Sequence, residues 1–146
     1  MSCLFDSLSF FLKISSDNIR SKICDYLERN NILIEGIDTK DILLEESSNY
    51  IKNMRKSSTW GGAIEIKAAV NIWNLYIKVK NIRDKKESIT DIKFIPTNGI
   101  DSQTKKIKIT WNGFHYEPVQ VDKNKTKQNK TKKINNEKKY KKIKYI

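Results

Sequence analysis

Three side chains in this 146-residue chain have the types that carry nucleophilic catalysis: Cys3, His115 and Glu117. A cysteine attacks as the thiolate, so it needs a positive field. The first turn of a helix supplies one and brings a thiol pKa from about 8.5 down to roughly 3.5–7.5. An imidazole within hydrogen-bond reach holds the ion pair and protonates the leaving amine. A third group orients that imidazole. Cys3 opens a stretch of helical periodicity, and His115 is the one histidine in the chain. Glu117 follows it by two, which puts both side chains on one face if both lie in a strand. The spacing permits a Cys3–His115–Glu117 triad but does not require one. A structural hairpin histidine and a solvated strand carboxylate fit the same residues, and Asn112 or a backbone carbonyl is the other way to orient the ring.

Other chemistries find no residues. There is no P-loop, no Gly-x-Gly-x-x-Gly and no Gly-x-Ser-x-Gly elbow. One histidine and two cysteines at positions 3 and 24 make no zinc set, so neither a metal nor a cofactor is expected. Cys24 stands among apolar residues and reads as core.

Periodicity assigns the elements that must position these groups. Leu4, Leu8, Phe11 and Leu12 recur at helical spacing over 3–13. The run Ser15-Ser16-Asp17-Asn18 offers N-caps for a helix over about 17–30, with Ile19, Ile23, Tyr26 and Leu27 on one face. A short helix fits 39–46 and another 47–56. Trp60-Gly61-Gly62 reads as a turn with the tryptophan packed inside, and a helix over 63–74 follows. The period then changes to two: strands are expected at 75–79, 89–95, 107–111 and 114–119. Asn112-Gly113 predicts a two-residue hairpin joining the last pair, and Pro118 marks an edge strand. Helices followed by a small, mostly antiparallel sheet make an α+β fold.

Charge divides the chain in two. Residues 122–146 hold 11 lysines against Asp122 and Glu137, which leaves only +3 of the net +12 for residues 1–121. The expected organisation is one domain over 1–121 and a basic, lysine-rich disordered tail over 122–146. Such a tail fits weak, nonspecific contact with nucleic acid. Ile, Lys and Asn, all with A/T-rich codons, number 22, 25 and 14, so codon drift explains it as well. Within the domain, Glu35, Asp38, Asp41, Glu45 and Glu46 face only Lys40, an acidic stretch suited to a basic partner segment or to plain solvation. No apolar run approaches the ~18 residues of a membrane helix, no secretory leader is visible, and two cysteines build no disulfide framework. These features predict a reduced intracellular, cytoplasmic setting with no membrane partner.

Four stretches, in order, resemble the ovarian-tumour (OTU) family of cysteine proteases. They are Cys3-Leu4-Phe5-x-Ser7-Leu8, then Arg20–Leu27, then Tyr50–Arg55 running into Thr59-Trp60-Gly61-Gly62-Ala63-Ile64-Glu65, and last Trp111-x-Gly113-x-His115-Tyr116-Glu117. The resemblance spans about 3–119 and is strongest to viral-type OTU domains. It implies a deubiquitinase that cleaves after the C-terminal glycine of ubiquitin or a ubiquitin-like protein. It implies Cys3 as nucleophile, His115 as general base and acid, and Glu117 as the residue that orients it. Trp111, Gly113 and Phe114 would then border the path of the substrate's glycine tail. Where the family pattern has Asp-Gly ahead of the cysteine, this chain has Met1 and Ser2. That implies a domain shortened at its N-terminus, without the loop whose N–H groups stabilise the oxyanion. The alternatives are therefore an OTU-like module that binds ubiquitin without cleaving it, or a nucleic-acid-associated protein acting through its tail.

Overall fold

The computed structural model describes residues 2–83 and 91–120. The lysine tail at 122–146, Val121 at the end of the expected domain, and the first residues of the strand expected at 89–95 lie outside the described residues.

Among the described residues, five helices precede four strands. The first, α1, covers Cys3–Leu12 and α2 covers Ser16–Glu28. They bury an apolar stripe of Leu4, Phe5 and Leu8 against Ile19, Ile23, Cys24 and Leu27. Phe5 is fully buried, whereas Phe11 and Leu12, expected on the same face, are only partly so. Lys13 closes α1 in the left-handed conformation, and the Ser15 hydroxyl caps α2 by accepting from the Asn18 N–H at 3.2 Å. Short helices α3 (Thr39–Glu46) and α4 (Tyr50–Met54) follow, then α5 (Ala63–Trp73). Ala68 and Ala69 of α5 are wholly buried, and this helix packs on α2 and on the first strand.

The strands are β1 (Leu75–Asn81), β2 (Asp91–Phe94), β3 (Lys105–Trp111) and β4 (Tyr116–Pro118). Their order in the sheet is β2-β1-β3-β4. The outer pairings are antiparallel and the central β1–β3 pairing is parallel, so the sheet is mixed. Leu75, Ile77, Val79, Ile107 and Ile109 point into the helix layer and close the core. Alternation sends Tyr76, Lys78, Lys80, Lys106 and Lys108 to the other face. The fold is α+β, two layers around one core.

Two local features differ from the sequence reading. The last hairpin turns one residue later than Asn112-Gly113. The Asn112 N–H donates to the His115 carbonyl at 3.2 Å, so the tip is Gly113-Phe114. Gly113 has φ +101°, at the place where a type II′ turn takes glycine. Trp60 is 51% exposed rather than packed. What the motif supplies instead is Gly61: a Cβ there would lie 2.8 Å from Leu4 Cδ2 and 3.0 Å from Phe5 Cζ. The backbone before α5 thus presses directly against the first turn of α1. No helix among the described residues is long and apolar enough to cross a membrane.

Candidate active site

The first turn of α1 and the end of the last hairpin enclose a cleft of about 360 Å³. Cys3 and His115, 112 residues apart in sequence, both line it, with Tyr116 and Pro118 of β4 and with Asp6 and Ser7 of α1. Packing holds the two sides together: α1 lies directly on β4. Cys3 is the first residue of its helix and half-buried. The positive end of the helix dipole therefore falls at its sulfur. Ser7 donates its hydroxyl hydrogen bond to the Cys3 carbonyl at 2.8 Å, fixing the turn that carries the thiol. Below it, Leu4 and Phe5 rest on Gly61.

Two buried charged residues that the sequence patterns did not reveal lie under α1. Arg20, 3% exposed, lies 4.0 Å over the Phe5 ring and donates to the Met54 carbonyl at 2.8 Å. Glu65, 1% exposed, accepts from the Gly62 N–H at 2.7 Å and from the Tyr50 hydroxyl at 2.6 Å. Burial pushes the Glu65 carboxyl above its ordinary value, against those two hydrogen bonds. Glu65 stands three residues after the N-cap Gly62, the acidic place of a capping box. That spacing was the available signal.

His115 follows the turn rather than standing in a strand, and it is exposed. Its segment is held by Asn112, whose Oδ1 accepts from the Phe114 N–H at 2.9 Å and the His115 N–H at 2.8 Å. Because His115 lies outside β4, the period-two argument linking it to Glu117 fails. Glu117 pairs with Thr110 and shares the sheet face opposite the helices, while Tyr116 and Pro118 face the cleft. Among the described residues no hydrogen bond joins the His115 ring to Cys3 or to Glu117. Tyr116 also lines the cleft, and burial first, then Cys3 and Glu65, raise its hydroxyl pKa.

None of the three residues expected along the substrate path lines this cleft. Trp111 is partly buried, its ring 6.5 Å from that of Tyr116. Gly113 packs under the Arg83 side chain, which a Cβ would meet at 3.1 Å. Phe114 is 72% exposed at the hairpin tip. Cys24 is buried with its thiol pushed up to about 11, chiefly by burial, as its place in the core requires. Among the described residues no cluster of ligating side chains could hold a metal.

Comparison with known proteins agrees with this geometry. Residues 2–119 match the family model described as OTU-like cysteine protease. Over 123 residues the chain is 28% identical to ubiquitin thioesterase OTU1 of Drosophila pseudoobscura pseudoobscura, covering 83% of this chain and 32% of that protein. It spans about a third of the length of the curated relatives it matches. Among solved structures, an OTU domain in complex with ubiquitin superposes with a TM-score of 0.62 at 25% identity, over 80% of this chain and 62% of that one. The viral OTU domain protease from Dera Ghazi Khan virus gives 0.57 at 24% identity, over 84% and 76%. With a cysteine at a helix start, a histidine across a shared cleft and this match over most of its length, the chain belongs to the OTU-like cysteine protease family.

Proposed function

We propose that this chain is a cysteine-type deubiquitinase that hydrolyses peptide and isopeptide bonds after the C-terminal glycine of ubiquitin or a ubiquitin-like protein. One observation carries the reading: Cys3 and His115 line a single cleft at the positive end of α1. Family membership and the likeness to an OTU domain in complex with ubiquitin support the substrate.

In this mechanism the Cys3 thiolate attacks the scissile carbonyl and His115 gives a proton to the leaving amine. An acyl-enzyme remains. His115 then takes a proton from water, which attacks the thioester and releases the ubiquitin carboxylate. In this reading the N–H groups of the first turn of α1 stabilise the developing oxyanion. The orienting role expected of Glu117 passes in this reading to the Asn112-held segment, since Glu117 belongs to the other sheet face. Phe114 and Trp111 border the approach to the cleft as substrate contacts. The setting is reducing and intracellular, in keeping with two free cysteines, and the lysines at 122–146 add weak, nonspecific contact with nucleic acid.

A ubiquitin C-terminal fluorogenic amide tests the reading. Wild-type protein releases the fluorophore, and Cys3→Ser or His115→Ala each lower kcat/KM by about 10³-fold or more. Binding of ubiquitin with no turnover by the wild type would replace the hydrolase with a binding module.

A further inference from the structure

The chemistry at the cleft gives no role to the cation buried beneath the nucleophile's helix. Arg20, on α2, is 3% exposed. Its Nη1 donates to the Met54 carbonyl at 2.8 Å and its Nη2 to the Ser57 carbonyl at 3.4 Å. Among the described residues no carboxylate stands within ion-pair distance of it. A guanidinium taken out of water without a paired carboxylate is costly, and an apolar side chain in its place avoids that cost. Its remaining contact is an aromatic ring. The guanidinium carbon lies 4.0 Å from the centroid of Phe5, well inside cation–π range.

Phe5 stands two residues after Cys3 in the first turn of α1. The backbone at Gly61 meets the edge of the same ring, where a Cβ would lie 3.0 Å from Cζ and 3.1 Å from Cε2. The ring is 0% exposed, gripped over its face by Arg20 and at its edge by Gly61. The two grips are joined, because the carbonyls that Arg20 holds lie at the end of α4 and on the segment that leads from it to Gly61. Two residues along a helix are about 3 Å apart along its axis. A ring fixed that close to Cys3 therefore fixes the rotation of the turn that carries the thiol.

We propose that Arg20 is a positioning residue for Cys3: through the Phe5 ring it sets the rotation of α1 that turns the thiol towards the cleft it shares with His115. Arg20 does not itself line that cleft. The proposal rests on the Cys3–His115 reading above, and the experiment separates the two.

Turnover of a ubiquitin C-terminal fluorogenic amide is measured for Arg20→Lys, Phe5→Leu and the double variant, well below the thermal midpoint of each. A lysine keeps the charge, but its single ammonium cannot hold two carbonyls and cover the ring at once. Each single variant lowers kcat by about tenfold or more with KM within twofold, because a misplaced nucleophile costs rate while ubiquitin's contacts stay intact. The double variant loses no more than about twofold beyond the larger single loss, since both substitutions break one contact. Val79→Ala is the control, a buried position on β1, which packs on α5. It lowers the midpoint and keeps kcat within twofold. Where Arg20→Lys does not fold, Phe5→Leu carries the comparison with the control. Losses that multiply in the double variant, a matching loss in Val79→Ala, or kcat within twofold in either folded single variant would each overturn the proposal. Hydrogen exchange gives a readout that needs no substrate: both single variants speed exchange of the α1 amides by about tenfold or more relative to those of α5, and Val79→Ala does not. Absence of turnover by the wild type would sink the deubiquitinase reading alone. The exchange rates then decide the grip on α1, and equal rates in wild type and variants would overturn it.

Discussion

Cys3 is held less by its own contacts than by those of its neighbours. Leu4 and Phe5 anchor the turn, and Ser7 ties its carbonyl. His115 depends on a single side chain, Asn112, for the course of its backbone. This makes Asn112 a positioning residue. Asn112→Ala removes both acceptor contacts and lowers kcat/KM on a ubiquitin amide by about tenfold or more, while Glu117→Gln stays within a few-fold. The reverse order would return the orienting role to Glu117. Cys3 and His115, which line one cleft, were legible in the sequence as candidates, because a cysteine at a helix start and a lone histidine after Asn-Gly carry their chemistry in their types. Tyr116 was not legible as a site residue, and Asn112 was legible only as a candidate partner of the imidazole ring, whereas it holds the backbone of the turn. One acts through hydrogen bonds to backbone and the other through the side of the strand it presents, and both depend on where the hairpin turns.

The helices followed the apolar spacing closely, since burial of one stripe fixes each of them. The hairpin did not follow its dipeptide signal: Asn112 uses its side chain to accept two N–H groups, which moves the turn to Gly113-Phe114. Trp60-Gly61-Gly62 matters through close approach. Gly61→Ala drives a Cβ into Leu4 and Phe5, which are 1% and 0% exposed and cannot swing away. It costs about 1–3 kcal/mol in chemical denaturation, and it lowers turnover as α1 shifts. The Glu65 network sets a pH dependence. Its folded pKa is raised above the ordinary 4.5, so its favourable contribution is full below that value and is lost as pH rises through the folded one. The wild-type thermal midpoint therefore falls, relative to that of Glu65→Gln, as pH rises above about 4.5. A difference independent of pH would contradict the burial argument. Tyr50→Phe leaves Glu65 with one partner fewer and costs about 1–3 kcal/mol.

At the scale of the molecule, the α+β class and a mostly antiparallel sheet were legible from the change of period near residue 75, but the one parallel pairing was not. Parallel pairing of β1 with β3 joins strands 24 or more residues apart, across a segment that includes β2. Period two says which residues share a face and nothing about which strands are neighbours. That pairing makes the molecule two-sided. The helix side carries the cleft, and the lysine face lies opposite. It also fixes the direction of β3, and hence the corner where His115 shares a cleft with Cys3. The account stands or falls on that shared cleft. Its most direct test is reaction of the full chain with ubiquitin bearing a C-terminal electrophile, followed by peptide mapping. The account predicts one covalent ubiquitin per chain, attached at Cys3 and absent from Cys3→Ser. Modification at Cys24, or none on wild-type protein that binds ubiquitin, would contradict it.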